Sequence, residues 1–174
     1  MRPEICLQFI LLRLLSKKVP SYDQPPKMPT FNYTFTVNAP ITAVSDFHHD
    51  TSVLKKLTPP PIFAQIHQFE PLGEGSTAEF TLWFGPLPVR WLAIHSDVGP
   101  QGFTDTQAEG PLNYWQHTHR FTAVSDNVTQ IHEHIEYEYS DNGWWGLLTR
   151  LLFNKPGLYG LFTARKWLTR WYLR

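Results

Sequence analysis

Two histidine pairs are the most chemically suggestive feature of the sequence, because each places two imidazoles two residues apart on an alternating apolar and polar segment. The first pair is His117 and His119, and the second is His132 and His134. Alternate residues of a β-strand share one face, about 6.5–7 Å apart, so each pair presents its imidazoles side by side. Paired imidazoles can orient a polar ligand group, move protons or bind a metal ion.

The neighbours of the two pairs indicate which one faces the protein interior. On the strand predicted over 114–124, one face carries Trp115, His117, His119 and Phe121. On the strand predicted over 128–139, one face carries Ile131, Glu133, Ile135, Tyr137 and Tyr139, and the other carries His132, His134, Glu136 and Glu138. The apolar faces should point inward, which places the first histidine pair inside and the second outside.

The turn between these strands decides which faces meet. A two-residue turn at Asp126-Asn127 would pair the aromatic face of the first strand with the His/Glu face of the second. A three-residue loop shifts the pairing by one and puts the aromatic face beside Ile135 and Tyr137. We favour the second register, because it collects the aromatic side chains in the core.

In this register, His117 and His119 line an interior near Tyr137, with Glu133 close by. They then either satisfy hydrogen bonds with neighbouring strands or solvent, contact a ligand's carbonyl or hydroxyl group, or shuttle protons together with Tyr137. The complete set of predicted ligand-binding residues is Phe80, Leu82, Trp91, His95, Trp115, His117, His119, Phe121, Glu133, Ile135, Tyr137 and Phe162.

We expect neither a metal ion nor a cofactor. His-x-His metal sites of the cupin type need a glutamate a few residues after the pair, and 121–127 supply none. Glutamates around the second pair favour an exposed polar face, and one cysteine, Cys6, excludes a cysteine-based zinc site. The sequence also has no nucleophile elbow, phosphate loop or dinucleotide fingerprint, so hydrolase, kinase and dehydrogenase functions lack support.

The elements that position these residues follow from periodicity and from glycine and proline punctuation. Alternating apolar residues over 31–37 predict a strand, and two short helices follow around Val44 and Leu54. Six further strands are then predicted over 62–72, 77–84, 89–98, 102–108, 114–124 and 128–139. Tight turns join them, so they form an antiparallel meander.

The C-terminal segment changes to helical spacing from Trp144 to Leu173, with a kink or break predicted at Pro156-Gly157 and the longer helix after it. No acidic residue follows Asp141, while this segment holds the basic residues Arg150, Lys155, Arg165, Lys166, Arg170 and Arg174 and the tryptophans Trp144, Trp145, Trp167 and Trp171. The pattern suits peripheral contact with an anionic membrane surface. Alternatively, the cations favour the helix C-terminus and the tryptophans lie in the core.

These elements predict one α+β domain over 30–174. Seven antiparallel strands are too many to lie flat, so the sheet curves, and the long C-terminal helix is available to cover its concave face. Such a sheet leaves an internal cavity. Residues 1–29 are predicted to be an extension or linker outside the fold. Their apolar part is shorter than the roughly 20 residues of a membrane-spanning helix, and no small-residue cleavage site of a signal peptide follows it; a membrane-surface anchor is the alternative.

Charge and cysteine content limit the partners. The chain has 15 basic and 15 acidic residues, a net charge of zero, which argues against a general nucleic-acid-binding protein because neutralising phosphates requires a cationic surplus. A single cysteine fits a reducing compartment. We therefore expect a cytoplasmic protein, with membrane contact confined to its surface.

The segment from Gly102 to Phe121 resembles the SRPBCC superfamily, the START and birch-pollen-allergen-like helix-grip group. In its polyketide cyclase/dehydrase and coenzyme-Q-binding START-type branch, a Phe-x-Asp strand leads through Gly-Pro to Trp-x-His-x-His-x-Phe, as it does here. The following strand matches through Thr129, Ile131, Glu133, Ile135 and Tyr137, and the last helix through Phe162 and Arg165. The resemblance covers about residues 30–172.

This resemblance implies a helix-grip fold and a small hydrophobic ligand such as a lipid, a quinone or a polyketide. We expect a binding or carrier protein rather than an enzyme. The alternative is a polyketide cyclase or dehydratase, in which the cavity folds a flexible chain and His117, His119 or Tyr137 moves protons. Fold alone does not distinguish the two.

Overall fold

A computed structural model describes residues 28–50 and 52–174. Over these ranges the chain forms seven strands and four helices. They are β1 (Thr30–Val37), α1 (Ile41–His49), α2 (Val53–Leu57), β2 (Ile62–Phe69), β3 (Thr77–Phe84), β4 (Leu87–Gly99), β5 (Gly102–Glu109), β6 (Tyr114–Ser125), β7 (Val128–Glu138), α3 (Gly143–Leu152) and α4 (Lys155–Tyr172). The predicted element order is confirmed.

The strands form one curved, open antiparallel sheet in the order β1-β7-β6-β5-β4-β3-β2. The predicted meander from β2 to β7 is therefore confirmed, and β1 completes the sheet beside β7. β2 ends at Phe69, three residues earlier than predicted, since the nearby Pro71 has no amide hydrogen to extend the ladder.

The long helix α4 covers the concave face of the sheet, as predicted. Its Phe162 is fully buried and packs 5.4 Å from the ring of Phe31 on β1. The Tyr33 and Thr163 hydroxyls are hydrogen bonded at 3.1 Å, and Arg170 Nε donates to the Thr36 carbonyl at 2.9 Å. These contacts fix α4 across the β1 edge of the sheet.

The break in the C-terminal helical segment lies at Phe153-Asn154, three residues before the predicted Pro156-Gly157. The Asn154 side chain caps α4 by accepting a hydrogen bond from the Gly157 amide at 2.8 Å. Pro156 falls in the first turn of α4, where a missing amide hydrogen costs nothing. The prediction that the downstream helix is the longer one is confirmed: α4 has 18 residues and α3 has 10.

The hairpin between β6 and β7 has the favoured register, but a β-bulge in β6 produces it rather than the predicted three-residue loop. Ser125 lies opposite Val128, so the turn at Asp126-Asn127 does have two residues. A β-bulge between Ala123 and Ser125 then shifts the pairing by one. As a result Trp115 lies opposite Tyr137 and His117 opposite Ile135. The predicted three-residue loop is wrong, because the extra residue sits in the strand.

Within 28–50 and 52–174, no helix is long and apolar enough to cross a membrane. The predictions for the N-terminal extension up to residue 27 lie outside the described residues.

Candidate functional site

A partly enclosed cavity of about 160 Å³ lies between the inner face of the sheet, α1, α2 and α4. Its walls are mostly apolar and aromatic. The lining side chains are His48, Val53, Leu54, Leu57, Leu72, Ala78, Phe80, Leu82, Trp91, Ala93, His95, Phe103, Asp105, Trp115, His117, His119, Phe153, Leu161, Phe162 and Arg165. We call the six polar members, which are His48, His95, Asp105, His117, His119 and Arg165, the polar patch.

Strand register brings the central residues of this patch together. His95, Asp105 and His117 lie opposite one another on the neighbouring strands β4, β5 and β6. In the adjacent row, His119 of β6 lies opposite Glu133 of β7. Directly opposed side chains on one face of a sheet are close enough to interact. The fold therefore creates a contact between Asp105 and the histidine pair that is 12 residues away in sequence.

Asp105, His117, His119 and Glu133 form a closed group that we call the inner cluster. Glu133 Oε2 lies 2.8 Å from His117 Nε2 in a hydrogen bond, and 2.8 Å from His119 Nδ1 in an ionic contact that lacks hydrogen-bond geometry. On the other side, Asp105 Oδ2 lies 3.2 Å from His119 Nε2 and 3.5 Å from His117 Nδ1. The two imidazole centroids are 3.9 Å apart. Each imidazole is thus held between two carboxylates.

The inner cluster is mostly shielded from solvent, which sets its protonation. Burial alone would lower the pKa of His119, but Glu133 and Asp105 outweigh it and raise this pKa to about 9. Burial and the neighbouring His119 charge lower the pKa of His117. Burial opposes ionisation of Glu133 and Asp105, yet the imidazoles hold the pKa of both carboxyls below the usual range. At neutral pH the cluster therefore contains two carboxylates and one imidazolium.

Arg165 supplies the remaining positive charge. Its Nε is buried and has no hydrogen-bond partner among the described residues. The guanidinium lies 5.2 Å from the Phe162 ring centroid, and burial lowers its pKa while Glu133 and Asp105 oppose that shift. An arginine remains protonated even so. A buried N–H without an acceptor destabilises the folded protein. Arg165 is therefore placed to donate a hydrogen bond to a molecule in the cavity.

The other two histidines of the polar patch are held neutral. His48 Nδ1 contacts the Val44 carbonyl at 2.8 Å, and burial lowers the pKa of His48 to about 4. His95 Nδ1 contacts the carbonyl and hydroxyl of Ser76 at 3.0 and 3.1 Å, and burial lowers its pKa as well. Neutral imidazoles add hydrogen-bonding capacity to the cavity wall without adding charge.

The predicted ligand-binding residues divide into two groups. Those that line the cavity are Phe80, Leu82, Trp91, His95, Trp115, His117, His119 and Phe162. Those that do not line it are Phe121, Glu133, Ile135 and Tyr137, all of them buried. Glu133 lies behind the imidazoles, whereas Tyr137 packs against Trp115 and Tyr139, at centroid distances of 6.3 and 5.3 Å. Burial raises the pKa of Tyr137, which disfavours proton transfer by it.

Sequence reasoning missed Asp105, Arg165 and His48 as cavity residues. Asp105 shares a strand face with Phe103, and Arg165 lies one helical turn after Phe162, so periodicity contained a signal for both. The sequence pattern groups Arg165 with the cations of a membrane-facing surface. That assignment is wrong for Arg165, because its side chain lines the cavity.

The second histidine pair lies on the outer face of the sheet. Asn32 Oδ1 lies 3.1 Å from His132 Nε2 and 2.8 Å from His134 Nδ1. The other nitrogen of His134 contacts Glu136 Oε1 at 3.3 Å. Both histidines are half-buried. The pair is therefore accounted for by contacts between neighbouring surface side chains.

The four tryptophans of the C-terminal helices do not fill the core. Their exposed fractions are 65% for Trp144, 40% for Trp145, 60% for Trp167 and 55% for Trp171. Exposed apolar residues also continue along α3 at Leu147 and Leu151. The alternative in which these tryptophans are buried is wrong.

No family sequence model and no curated protein sequence matches the chain. Solved structures do match. The aromatase/cyclase ZhuI from a Streptomyces species aligns with a TM-score of 0.62 at 15% identity, over 82% of this chain and 94% of that one. A START superfamily protein from Mycobacterium smegmatis aligns with a TM-score of 0.63 at 9% identity, over 83% and 96%.

A third match is norcoclaurine synthase from Thalictrum flavum, solved with dopamine and hydroxybenzaldehyde, with a TM-score of 0.62 at 15% identity over 84% of this chain and 87% of that one. Together with the curved seven-stranded sheet and the covering helix, these matches decide the architecture. The chain has the helix-grip fold, which it shares with these solved structures. At 9–15% identity the helix-grip likeness establishes the fold, and ligand and reaction must be argued from the cavity itself.

Proposed function

We propose that this protein binds a small, mainly apolar molecule in the cavity, with one acidic or carbonyl group of that molecule directed at the polar patch. The observation that carries the proposal is the buried Nε of Arg165, which has no hydrogen-bond partner within 28–50 and 52–174 and belongs to the polar patch of a mostly apolar and aromatic cavity. Apolar walls bind the body of a ligand, and a few placed polar groups orient it. An acceptor oxygen on the ligand would give Arg165 Nε the partner that the described part of the chain does not supply.

The cavity volume favours a compact ligand. About 160 Å³ is close to the roughly 150 Å³ of an engineered cavity that accepts benzene. One aromatic ring with a carboxylate or ketone therefore suits the enclosed part of the cavity. A lipid or an isoprenoid quinone would place only its head in this space and leave its chain outside.

The experiment is a calorimetric titration with single-ring acids and ketones, beginning with benzoate and acetophenone. Replacing Ala93, which is buried in the cavity wall, by leucine fills part of the space and should weaken binding at least tenfold. The control is Ala123→Leu on the exposed part of β6. Equal binding by both variants, or no binding of any compound by the unmodified protein, would overturn the proposal.

A second function, acid–base catalysis of the cyclase or dehydratase kind, is favoured by the proton on His119 between two ionised carboxylates. Such an imidazolium can protonate a ligand carbonyl, and a carboxylate can accept a proton from the adjacent carbon. The test is deuterium incorporation at the methyl group of acetophenone, followed by NMR. Hydrogen exchange that the protein accelerates, and that His119→Gln abolishes, supports the catalytic function. If the protein does not accelerate exchange, the catalytic function is contradicted and only the binding function remains.

We also propose that the exposed face of α3 and α4 contacts an anionic membrane surface, where an apolar ligand could be exchanged. Support comes from exposed Trp144, Trp167 and Trp171 beside cationic residues, with no acidic residue after Asp141. Lys166 and Arg170 lie within 6 Å of the Trp167 ring. Tryptophan at the headgroup level combined with lysine and arginine is typical of surface-bound helices.

A further inference from the structure

Three donor atoms of the inner cluster lie close together at the cavity wall. They are Asp105 Oδ2, His117 Nδ1 and His119 Nε2, and one donor atom from each residue lies within 4.8 Å of the others. We propose that Asp105, His117 and His119 bind a divalent transition-metal ion, with Glu133 supporting the imidazoles from behind. The site goes beyond the ligand binding proposed above and does not depend on it.

The spacing of the donor atoms suits such an ion. Asp105 Oδ2 is 3.5 Å from His117 Nδ1 and 3.2 Å from His119 Nε2. Zinc binds imidazole nitrogen and carboxylate oxygen at about 2.0–2.2 Å, which makes the edge of its coordination tetrahedron about 3.3–3.6 Å. Both separations are close to this edge, so the carboxylate oxygen already lies at a ligand-like distance from each nitrogen.

Glu133 occupies the position of a supporting partner. Histidines that bind metals usually donate a hydrogen bond from their other ring N–H to a carboxylate or carbonyl oxygen, which fixes the tautomer and the ring orientation. Glu133 Oε2 is 2.8 Å from His117 Nε2 and 2.8 Å from His119 Nδ1, the two nitrogens turned away from Asp105. One buried carboxylate thus hydrogen-bonds the imidazole of His117 and lies in ionic contact with that of His119, on the side of both rings opposite the proposed ion.

The donor set also indicates the kind of ion and its exposure. Two imidazoles and one carboxylate bind zinc or iron(II) in sites that keep open positions for water or substrate. All three ligands line the cavity, so the open positions face the space where a small molecule would lie. The carboxylate comes from Asp105 on β5 and not from a glutamate after the histidine pair on the same strand, which is the cupin pattern that the sequence lacks.

The test uses zinc and cobalt(II) with the metal-free full chain in a Cys6→Ser background, which removes its one cysteine. Calorimetry should show one zinc ion per chain, and cobalt(II) should give visible absorption of a four- or five-coordinate site. Glu133→Gln should weaken zinc binding about 10- to 100-fold, and Asp105→Asn at least as much. The matched control is His132→Gln/His134→Gln, the outer pair, which should bind zinc like the parent chain.

Nitrogen NMR of the unmodified histidines gives a second measurement that needs no variant to fold. Zinc should shift His117 Nδ1 and His119 Nε2 and leave His132 and His134 unchanged. Absence of stoichiometric zinc binding, or loss of binding in the outer-pair variant rather than in Asp105→Asn, would overturn the proposal. The zinc experiments contain no organic compound, so their failure would not count against the proposed binding of a small apolar molecule, and failure of that binding would not count against the metal site.

Discussion

The inner and outer surfaces of this protein use the same residue types for different purposes. His117 and His119 face inward between two carboxylates, while His132 and His134, on the neighbouring strand, face outward and share the side-chain oxygen of Asn32. The two pairs have the same spacing in sequence. Strand parity alone determines that one pair is enclosed in a charged cluster beside a cavity and that the other belongs to the surface.

A similar contrast holds for the arginines of α4. Arg165 lines the cavity with a buried Nε that has no partner in the described ranges, whereas Arg170 reaches the Thr36 carbonyl at the protein surface. Globular proteins seldom bury charged groups and seldom expose large aromatic ones. This chain does both, with charges beside the cavity and tryptophans on the outside of α3 and α4. Both departures coincide with the surfaces to which we assign binding.

The largest effect is expected from removing the charge behind the inner pair. Glu133→Gln leaves the His119 imidazolium with one carboxylate fewer in a buried site, so we expect a loss of about 3 kcal/mol in the free energy of unfolding. The matched outer change, Glu136→Gln beside His134, should cost less than about 0.5 kcal/mol. Urea unfolding of the two variants compares them directly, and equal losses would contradict the contrast between the pairs.

The metal-free protein should also lose stability in mild alkali. The pKa of His119 is about 9 in the folded chain and about 6.5 when unfolded, so its stabilising contribution is complete below pH 6.5 and disappears as pH rises through 9. We expect the free energy of unfolding to fall by up to about 3 kcal/mol over this interval. His119→Gln should remove most of that decrease; a decrease of the same size in this variant would mean that another group causes it.

A smaller effect is expected on ligand preference. Arg165→Met keeps an unbranched side chain but removes the donor, so the affinity for benzoate should fall about tenfold, roughly 1.4 kcal/mol. Affinity for the neutral toluene should be unchanged, and Arg170→Met should alter neither. Calorimetry with the two compounds provides the comparison. A parallel loss for both compounds would indicate that Arg165 shapes the cavity rather than binding an anion.

The smallest effect concerns the outer tryptophans. Trp167→Ser/Trp171→Ser should reduce co-sedimentation with vesicles of mixed neutral and anionic lipid several-fold at low salt. The unmodified protein should bind neutral vesicles weakly, because lysine and arginine near the membrane surface contribute to binding only when the lipid is anionic. Phe63→Ser, an exposed aromatic on β2, is the control. Unchanged sedimentation in the double variant would remove the membrane proposal.

The sequence predicted the fold well because strand alternation and turn residues are local signals. It assigned His117 and His119 to the inner face and His132 and His134 to the outer face from parity alone. It could not predict the bulge near Val124, which inserts a residue without changing the alternation on either side. It also missed the contact of Asp105 with the histidine pair, because that contact depends on the register of β5 against β6.

Arg165 illustrates a further limit of sequence reasoning. Six basic residues follow Asp141 at helical spacings, and composition alone treats them as one surface group. Only the packing of α4 against the sheet separates Arg165, which enters the cavity, from Lys166 and Arg170, which lie near Trp167.

The most direct test of cavity binding is NMR of isotope-labelled protein with benzoate and acetophenone, recording contacts between each compound and individual side chains. We expect intermolecular contacts to Trp91, Trp115 and Phe162, with the carboxylate or ketone oxygen next to Arg165. Contacts confined to the outer tryptophans, or none to the cavity with either compound, would contradict the account.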